Sequence, residues 1–141
     1  MTWLRRRAPV LLAIYSVFLA IALFSPTSEQ QSGAVLWLSH GLVAVGIPAQ
    51  LVPFGRLEVL MNVVIVAPVT MLASVIRPGP SWRDWTALGF IVALTVEVVQ
   101  GLVLPERQMA FSDVVANTAG ALVGASVVSL IRPMLRSKTM V

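Results

Sequence analysis

The chain has 141 residues, of which 57% are hydrophobic and 11% are charged, with a net charge of +4 and no cysteine. A soluble domain usually carries about 25% charged residues, so the composition excludes soluble globular, disordered and fibrous proteins. Without cysteine, disulfides, zinc–thiolate sites and cysteine nucleophiles are excluded as well. The remaining class is an all-α integral membrane protein. Membrane orientation explains the basic surplus, so we expect no nucleic-acid partner.

Four apolar runs predict four transmembrane helices within a single domain that covers residues 1–141. Each run is close to the roughly 20 residues that cross a hydrocarbon core of about 30 Å. The predicted spans are residues 9–24, 57–76, 85–104 and 111–131. No small-residue cleavage signal follows the first run, which is the shortest. We therefore expect an uncleaved helix there rather than a secretory signal peptide.

The basic residues predict the orientation of these spans, because cytoplasmic loops of membrane proteins collect lysine and arginine. With both termini in the cytoplasm, eight of the ten basic residues lie inside. The outer side then holds only Arg56 and Arg107. The chain is thus predicted to be a multi-pass protein of the cytoplasmic membrane.

A fifth, shorter apolar run covers about residues 34–47, within the long outer loop of residues 27–56. Runs of roughly 10–14 apolar residues are typical of interfacial or re-entrant segments rather than of spanning helices. We predict a helix here that lies against the outer surface of the membrane.

The polar residues of the last three spans cluster near the predicted outer ends. Each span carries one carboxylate and one carboxamide three or four residues apart, so each pair shares a helix face. The pairs are Glu58 with Asn62, Glu97 with Gln100, and Asp113 with Asn117. We predict that the three faces converge on one cavity, one to two turns beneath the outer surface. We expect the inner halves of the same spans to carry almost nothing polar.

Other residues near this predicted cavity support its assembly. Arg107 lies in the short outer loop between the third and fourth spans, within reach of the rim. Gly120 and Gly124 form a small-xxx-small face that favours close helix packing.

A purely structural interpretation of the polar residues remains open, because single amides in membranes commonly form interhelical hydrogen bonds worth about 0.6 kcal/mol. An acid such as Asp113 at a helix N-terminus also interacts favourably with the helix dipole.

The second half of the chain contains three linked motifs: E-x-x-Q at residues 97–100, a loop with Pro105 and Arg107, and D-V-x-x-N-x-x-G-x-x-x-G at residues 113–124. With these motifs the chain resembles the VanZ-like family of small bacterial membrane proteins. Glu58 and the stretch from Asn62-Val63 to Pro68 are similar to an earlier element of the family, N-v-x-x-x-x-P-l-G, but here Val69-Thr70 replace its Leu-Gly. The resemblance covers roughly residues 50–130.

The resemblance implies a membrane domain of four to five helices in the bacterial cell envelope. Its founding member is associated with low-level resistance to the glycopeptide teicoplanin. The motif residues that it carries over are Glu97, Gln100, Arg107, Asp113 and Asn117. It implies no settled biochemical activity, and through its founding member it suggests a contribution to glycopeptide tolerance.

Three functions are compatible with this pattern. The first is a cavity that binds the headgroup of a membrane lipid, a lipid-linked cell-wall precursor or a lipoglycopeptide. The second is an enzyme acting on a lipid-linked phosphate or glycan, with Glu97 and Asp113 as acid and base. No cofactor is expected in the first case, whereas Mg²⁺ or Ca²⁺ bound through oxygen ligands is an option in the second. The third is a structural subunit of a membrane complex.

Overall fold

A computed structural model describes residues 2–23, 29–104 and 109–137, and these residues form helices and short connections without a β-strand. A 3-10 helix, Ala49–Leu51, lies between the second and third α-helices. The five α-helices are α1 (Thr2–Leu23), α2 (Glu29–Ala44), α3 (Phe54–Ile76), α4 (Trp82–Val103) and α5 (Phe111–Ser137). The predicted all-α fold is confirmed.

Within the described residues, four helices are long and apolar enough to cross a membrane: α1, α3, α4 and α5. Their outer surfaces are strongly apolar. Phe18 of α1 is 64% exposed and Leu102 of α4 is 80% exposed. Monomeric soluble proteins rarely expose contiguous apolar surface on this scale. These faces are suited to contact lipid, so the chain is a membrane protein.

The packing of the bundle centres on α5. This helix packs against α3 and α4, whereas α1 and α2 pack against α3. The buried side chains of α5 are small, including Ala116, Ala121 and Ala125. Small side chains let helix backbones approach closely, which is how membrane helices associate when burial of apolar surface provides no driving force.

The two ends of the bundle are named here by their connections. The α2 end is where α1 ends, α3 begins, α4 ends and α5 begins. The hairpin end is where residues 77–81 join α3 to α4. Halfway between them, the Tyr15 hydroxyl donates a 2.7 Å hydrogen bond to the Ile65 carbonyl oxygen and ties α1 to α3.

The observed helices are longer than the predicted spans. The helix of the first span begins at Thr2 and continues through Pro9, and the helix of the fourth continues through Pro133 to Ser137. The sequence predicts the ends of these spans from the positions of prolines and arginines. In this chain those residues mark where the apolar surface ends, not where the helical backbone ends.

The predicted helix in the long loop is present as α2, at Glu29–Ala44 rather than at residues 34–47. It ends before Gly46, whose φ of +95° is a left-handed conformation that favours glycine. Val35 of α2 packs with Val52 and Leu57 in a small apolar cluster against the start of α3. Its apolar helical stretch is shorter than a span, and its position relative to the membrane stays a prediction.

Candidate functional site: an acidic cavity at the α2 end

A cavity of about 270 Å³ opens between α1, α2, α3 and α5. One wall is polar and combines the first turns of α3 and α5. The polar lining residues are Glu58, Asn62, Asp113 and Asn117. The opposite wall is apolar and includes Phe18 and Leu19 of α1 and Val35 of α2. We call this the acidic cavity.

The polar wall forms because α3 and α5 both begin at the α2 end and pack closely along their lengths. The i,i+4 spacing brings both members of each pair to the same helix face. Two of the three predicted pairs, Glu58 with Asn62 and Asp113 with Asn117, therefore line one cavity.

The electrostatic character of the cavity is acidic. The Glu58 and Asp113 carboxyl groups are close enough to interact electrostatically. Glu58 is exposed, whereas Asp113 is partly buried. Carboxylates accept hydrogen bonds and donate none, and carboxamides both donate and accept. The wall is thus complementary to a ligand group that carries N–H or O–H donors or a positive charge.

The α4 pair is placed differently from the prediction. Glu97 and Gln100 are buried, with 6% and 4% of their surface exposed, and neither lines the acidic cavity. Instead, Glu97 Oε2 accepts a 3.0 Å hydrogen bond from the Ala110 backbone N–H, just before α5. Gln100 Nε2 donates a 2.6 Å bond to the Leu23 carbonyl oxygen at the end of α1.

These two bonds explain why α4 turns its polar face away from the cavity. Leu23 and Ala110 are at a helix end and just before a helix start, where backbone groups lack partners inside the helix. An unsatisfied backbone group in the hydrocarbon region costs several kcal/mol. The α4 pair therefore joins the ends of three helices, which holds the α2 end of the bundle together.

Arg107, the predicted cation at the rim, lies outside the described residues. Its pairing with a ligand stays a prediction. Across the described part of the chain, no group of three or more His, Cys, Asp or Glu side chains could hold a metal ion. The option of Mg²⁺ or Ca²⁺ thus has no ligand set in that part, and it too stays a prediction.

The two glycines of α5 lie where α5 meets α3. A Cβ atom on Gly120 would come within 2.7 Å of the Val63 carbonyl oxygen. A Cβ on Gly124 would meet the Ala67 carbonyl oxygen and the Thr70 hydroxyl even more closely. Both glycines thus allow the close contact that places the polar faces of α3 and α5 side by side.

A second cavity, of about 160 Å³, continues from the acidic cavity toward the hairpin end. The two share Leu19, Leu23, Val66 and Asn117. Most of its lining comes from apolar side chains of α1, α3, α4 and α5. We call it the apolar cavity.

A third cavity, also of about 160 Å³, lies at the hairpin end and was missed by the sequence interpretation. Its lining includes Ser74 of α3, Trp85 of α4, and Ser129 and Arg132 of α5. The prediction that the inner halves carry almost nothing polar is therefore wrong at this end. No single spacing pattern connects these residues, because they come from three different helices, and only Ser129 and Arg132 are close in sequence, three residues apart on α5. We call this the hairpin-end cavity.

Membrane-length apolar helices around a cavity with acid and amide side chains on one wall define a small helical membrane protein. Comparison with known proteins places it more narrowly. A sequence model of the VanZ/LLP1 family matches residues 10–132, so the chain belongs to that family. The match extends from α1 into the last turns of α5 and confirms the resemblance seen in the sequence. No curated protein and no solved structure matches the chain significantly.

Proposed function

We propose that this VanZ/LLP1 protein binds, in its acidic cavity, the polar headgroup of an amphiphile in the outer leaflet of the bacterial cytoplasmic membrane. The observation that carries the proposal is the composition of the cavity walls. One wall presents two carboxylates and two carboxamides, and the other presents apolar side chains of α1 and α2. A ligand with a polar head and an apolar tail matches both.

The orientation is part of this proposal. The hairpin end carries Arg77, Arg83 and Arg132, whereas Arg56 lies near the α2 end. Because basic residues concentrate on the cytoplasmic side, we place the hairpin end inside and the acidic cavity outside. Both termini are then cytoplasmic, and α2 lies at the outer surface.

The chemistry of the polar wall narrows the ligand class. Hydrogen bonds to ionised groups contribute about 1.5–3 kcal/mol each, roughly twice the value for neutral pairs. Glu58 and Asp113 therefore favour a headgroup rich in ammonium, hydroxyl or amide N–H donors. Envelope lipids with amine headgroups, lipid-linked wall precursors and lipoglycopeptides all offer such donors. Binding of a lipoglycopeptide in this cavity would supply a route to glycopeptide tolerance.

The enzyme alternative is less well supported by the site. It assigns acid and base roles to Glu97 and Asp113, but Glu97 does not line the cavity that contains Asp113. Glu97 instead accepts a backbone hydrogen bond from Ala110. The remaining alternative, a structural subunit, predicts that isosteric changes in the acidic cavity leave ligand binding and function unchanged.

A binding experiment tests the proposal. The protein in nanodiscs is titrated with three probes: phosphatidylethanolamine, a lipid-linked disaccharide–pentapeptide, and teicoplanin. Phosphatidylcholine, whose headgroup lacks N–H donors, is the matched control for phosphatidylethanolamine. We expect at least one donor-rich probe to bind. Its affinity should fall roughly tenfold in Glu58→Gln or Asp113→Asn, since each removes a charged acceptor.

The matched control is Asp84→Asn at the hairpin end. Asp84 is exposed and accepts hydrogen bonds from Ser81, far from the acidic cavity. This variant should bind every probe as the wild type does. Equal affinity of Asp113→Asn and wild type for all three probes would contradict the proposal. Turnover of a lipid-linked probe that disappears in Asp113→Asn would favour the enzyme instead.

A further inference from the structure

The hairpin-end cavity contains two buried donors that the protein does not satisfy. The Ser74 hydroxyl and the Trp85 Nε1–H have no hydrogen-bond partner among the described residues. Ser74 is 2% exposed, so bulk water does not reach it. Indole N–H is a donor only. Burying such groups without a partner is unfavourable, and an acceptor placed in the cavity would recover the lost free energy.

Arg132 adds a fixed positive charge to the same cavity. Its guanidinium donates 2.8 Å hydrogen bonds to the carbonyl oxygens of Pro78 and Ser74. These bonds hold the side chain across the α3–α4 connection. A guanidinium has five N–H donors, so others remain for a ligand. The Ser129 hydroxyl lies on the same wall.

The charges around this cavity favour an anion. Its described lining includes Arg132 and no acid. The neighbouring carboxylate of Asp84 accepts hydrogen bonds from the Ser81 backbone N–H and hydroxyl, which form the N-terminal cap of α4. Arg77 and Arg83 are exposed at the same end. A phosphate group, with several acceptor oxygens and a negative charge, satisfies donors of this kind.

Trp85 connects this polar cavity to apolar surface. Its side chain lines both the hairpin-end cavity and the apolar cavity. Beyond Trp85, the apolar cavity continues along Leu88, Val92 and Val96 of α4. A group held at Arg132 can therefore extend an acyl chain between the helices. An apolar cavity next to a polar one favours a phospholipid over a soluble phosphate as the ligand.

We propose that the hairpin-end cavity binds the phosphate of a glycerophospholipid through Ser74, Trp85, Ser129 and Arg132, with an acyl chain in the apolar cavity. Its phosphate-binding residues are separate from those that line the acidic cavity, and they lie in the cytoplasmic leaflet if the proposed orientation holds. A phospholipid bound there would stabilise the packing of α3, α4 and α5 at the hairpin end.

The experiment uses the delipidated full chain in detergent and follows its thermal denaturation. Three probes are added: dioleoyl-phosphatidylglycerol, dioleoylglycerol without the phosphate, and inorganic phosphate without the chains. We expect saturable stabilisation by phosphatidylglycerol at concentrations where the other two have little effect. Stabilisation by inorganic phosphate at equal concentration would overturn the lipid assignment, and stabilisation by dioleoylglycerol would overturn the phosphate assignment.

Two substitutions test the donors without disturbing the hydrogen bonds of Arg132. Trp85→Phe removes the N–H and keeps an aromatic ring, and Ser74→Ala removes the hydroxyl. Because neither donor has a described protein partner, both variants should be at least as stable as the wild type without lipid. Each should bind phosphatidylglycerol roughly tenfold more weakly, the loss of one hydrogen bond to a charged group.

Trp37→Phe is the matched control, since Trp37 is on α2 and 78% exposed. It should bind phosphatidylglycerol as the wild type does. Wild-type affinity in both Trp85→Phe and Ser74→Ala would overturn the proposal. So would the absence of stabilisation by any probe, because water alone would then satisfy the donors. Asp113→Asn should leave this binding unchanged, which separates it from the proposed outer site.

Discussion

Gly124→Ala is expected to destabilise the protein by about 1–3 kcal/mol, the range measured for overpacked sites. The added methyl group would meet the Ala67 carbonyl oxygen and the Thr70 hydroxyl of α3. The carbonyl belongs to the helix backbone, so it cannot rotate away as a flexible side chain can. Relief requires α3 and α5 to separate. Separation would also pull Glu58 away from Asp113 and widen the acidic cavity.

The measurement is reversible unfolding in detergent, compared with Gly41→Ala as the matched control. Gly41 is inside α2, and a Cβ there would meet nothing within 4 Å. Because alanine favours helix by about 1 kcal/mol over glycine, Gly41→Ala should be neutral or slightly stabilising. A Gly124→Ala protein as stable as the wild type would show that α3 and α5 do not pack this closely.

Glu97→Leu is expected to destabilise the protein by about 1.5–3 kcal/mol, whereas Glu97→Gln retains most of the stability. Leucine leaves the Ala110 backbone N–H without its acceptor, and a lost hydrogen bond to a charged group has this magnitude. Glutamine keeps a carbonyl oxygen at the same reach. Comparing the leucine and glutamine variants therefore separates the effect of the hydrogen-bond acceptor on stability from the effect of the negative charge.

The same denaturation assay measures the stability of both Glu97 variants. Binding of a donor-rich probe to the acidic cavity adds a second readout. A positioning role for Glu97 predicts that Glu97→Gln folds and binds normally. Complete loss of probe binding in a stably folded Glu97→Gln variant would instead show that the carboxyl group itself is essential. Equal stability of the leucine and glutamine variants would rule out the bond to Ala110 as a stabilising contact.

Much of the fold follows from hydrophobic length and spacing alone. The four apolar runs predicted α1, α3, α4 and α5, since a continuous apolar run of about 20 residues crosses a bilayer as a helix that satisfies its own backbone hydrogen bonds. The i,i+4 pairs on α3 and α5 predicted which residues share a face. Those two helices begin at the same end of the bundle, so the faces meet in the acidic cavity.

The position of the α4 pair could not be predicted in the same way. Spacing shows that Glu97 and Gln100 share a face, but not which direction that face takes around the helix axis. The direction follows from two backbone partners, Ala110 and Leu23, on other segments of the chain. Likewise, Ser74, Trp85 and Arg132 are isolated residues until tertiary packing brings them together at the hairpin end.

Cysteine labelling tests the central claim most directly, because the chain has no native cysteine. Asn62→Cys would be placed in the acidic cavity and Gly79→Cys in the hairpin connection. In intact bacterial cells, a membrane-impermeant maleimide should label Asn62→Cys but not Gly79→Cys, and a saturating donor-rich probe should slow the labelling. Labelling of Gly79→Cys alone, or labelling of Asn62→Cys that every probe leaves unchanged, would contradict an outward-facing headgroup site.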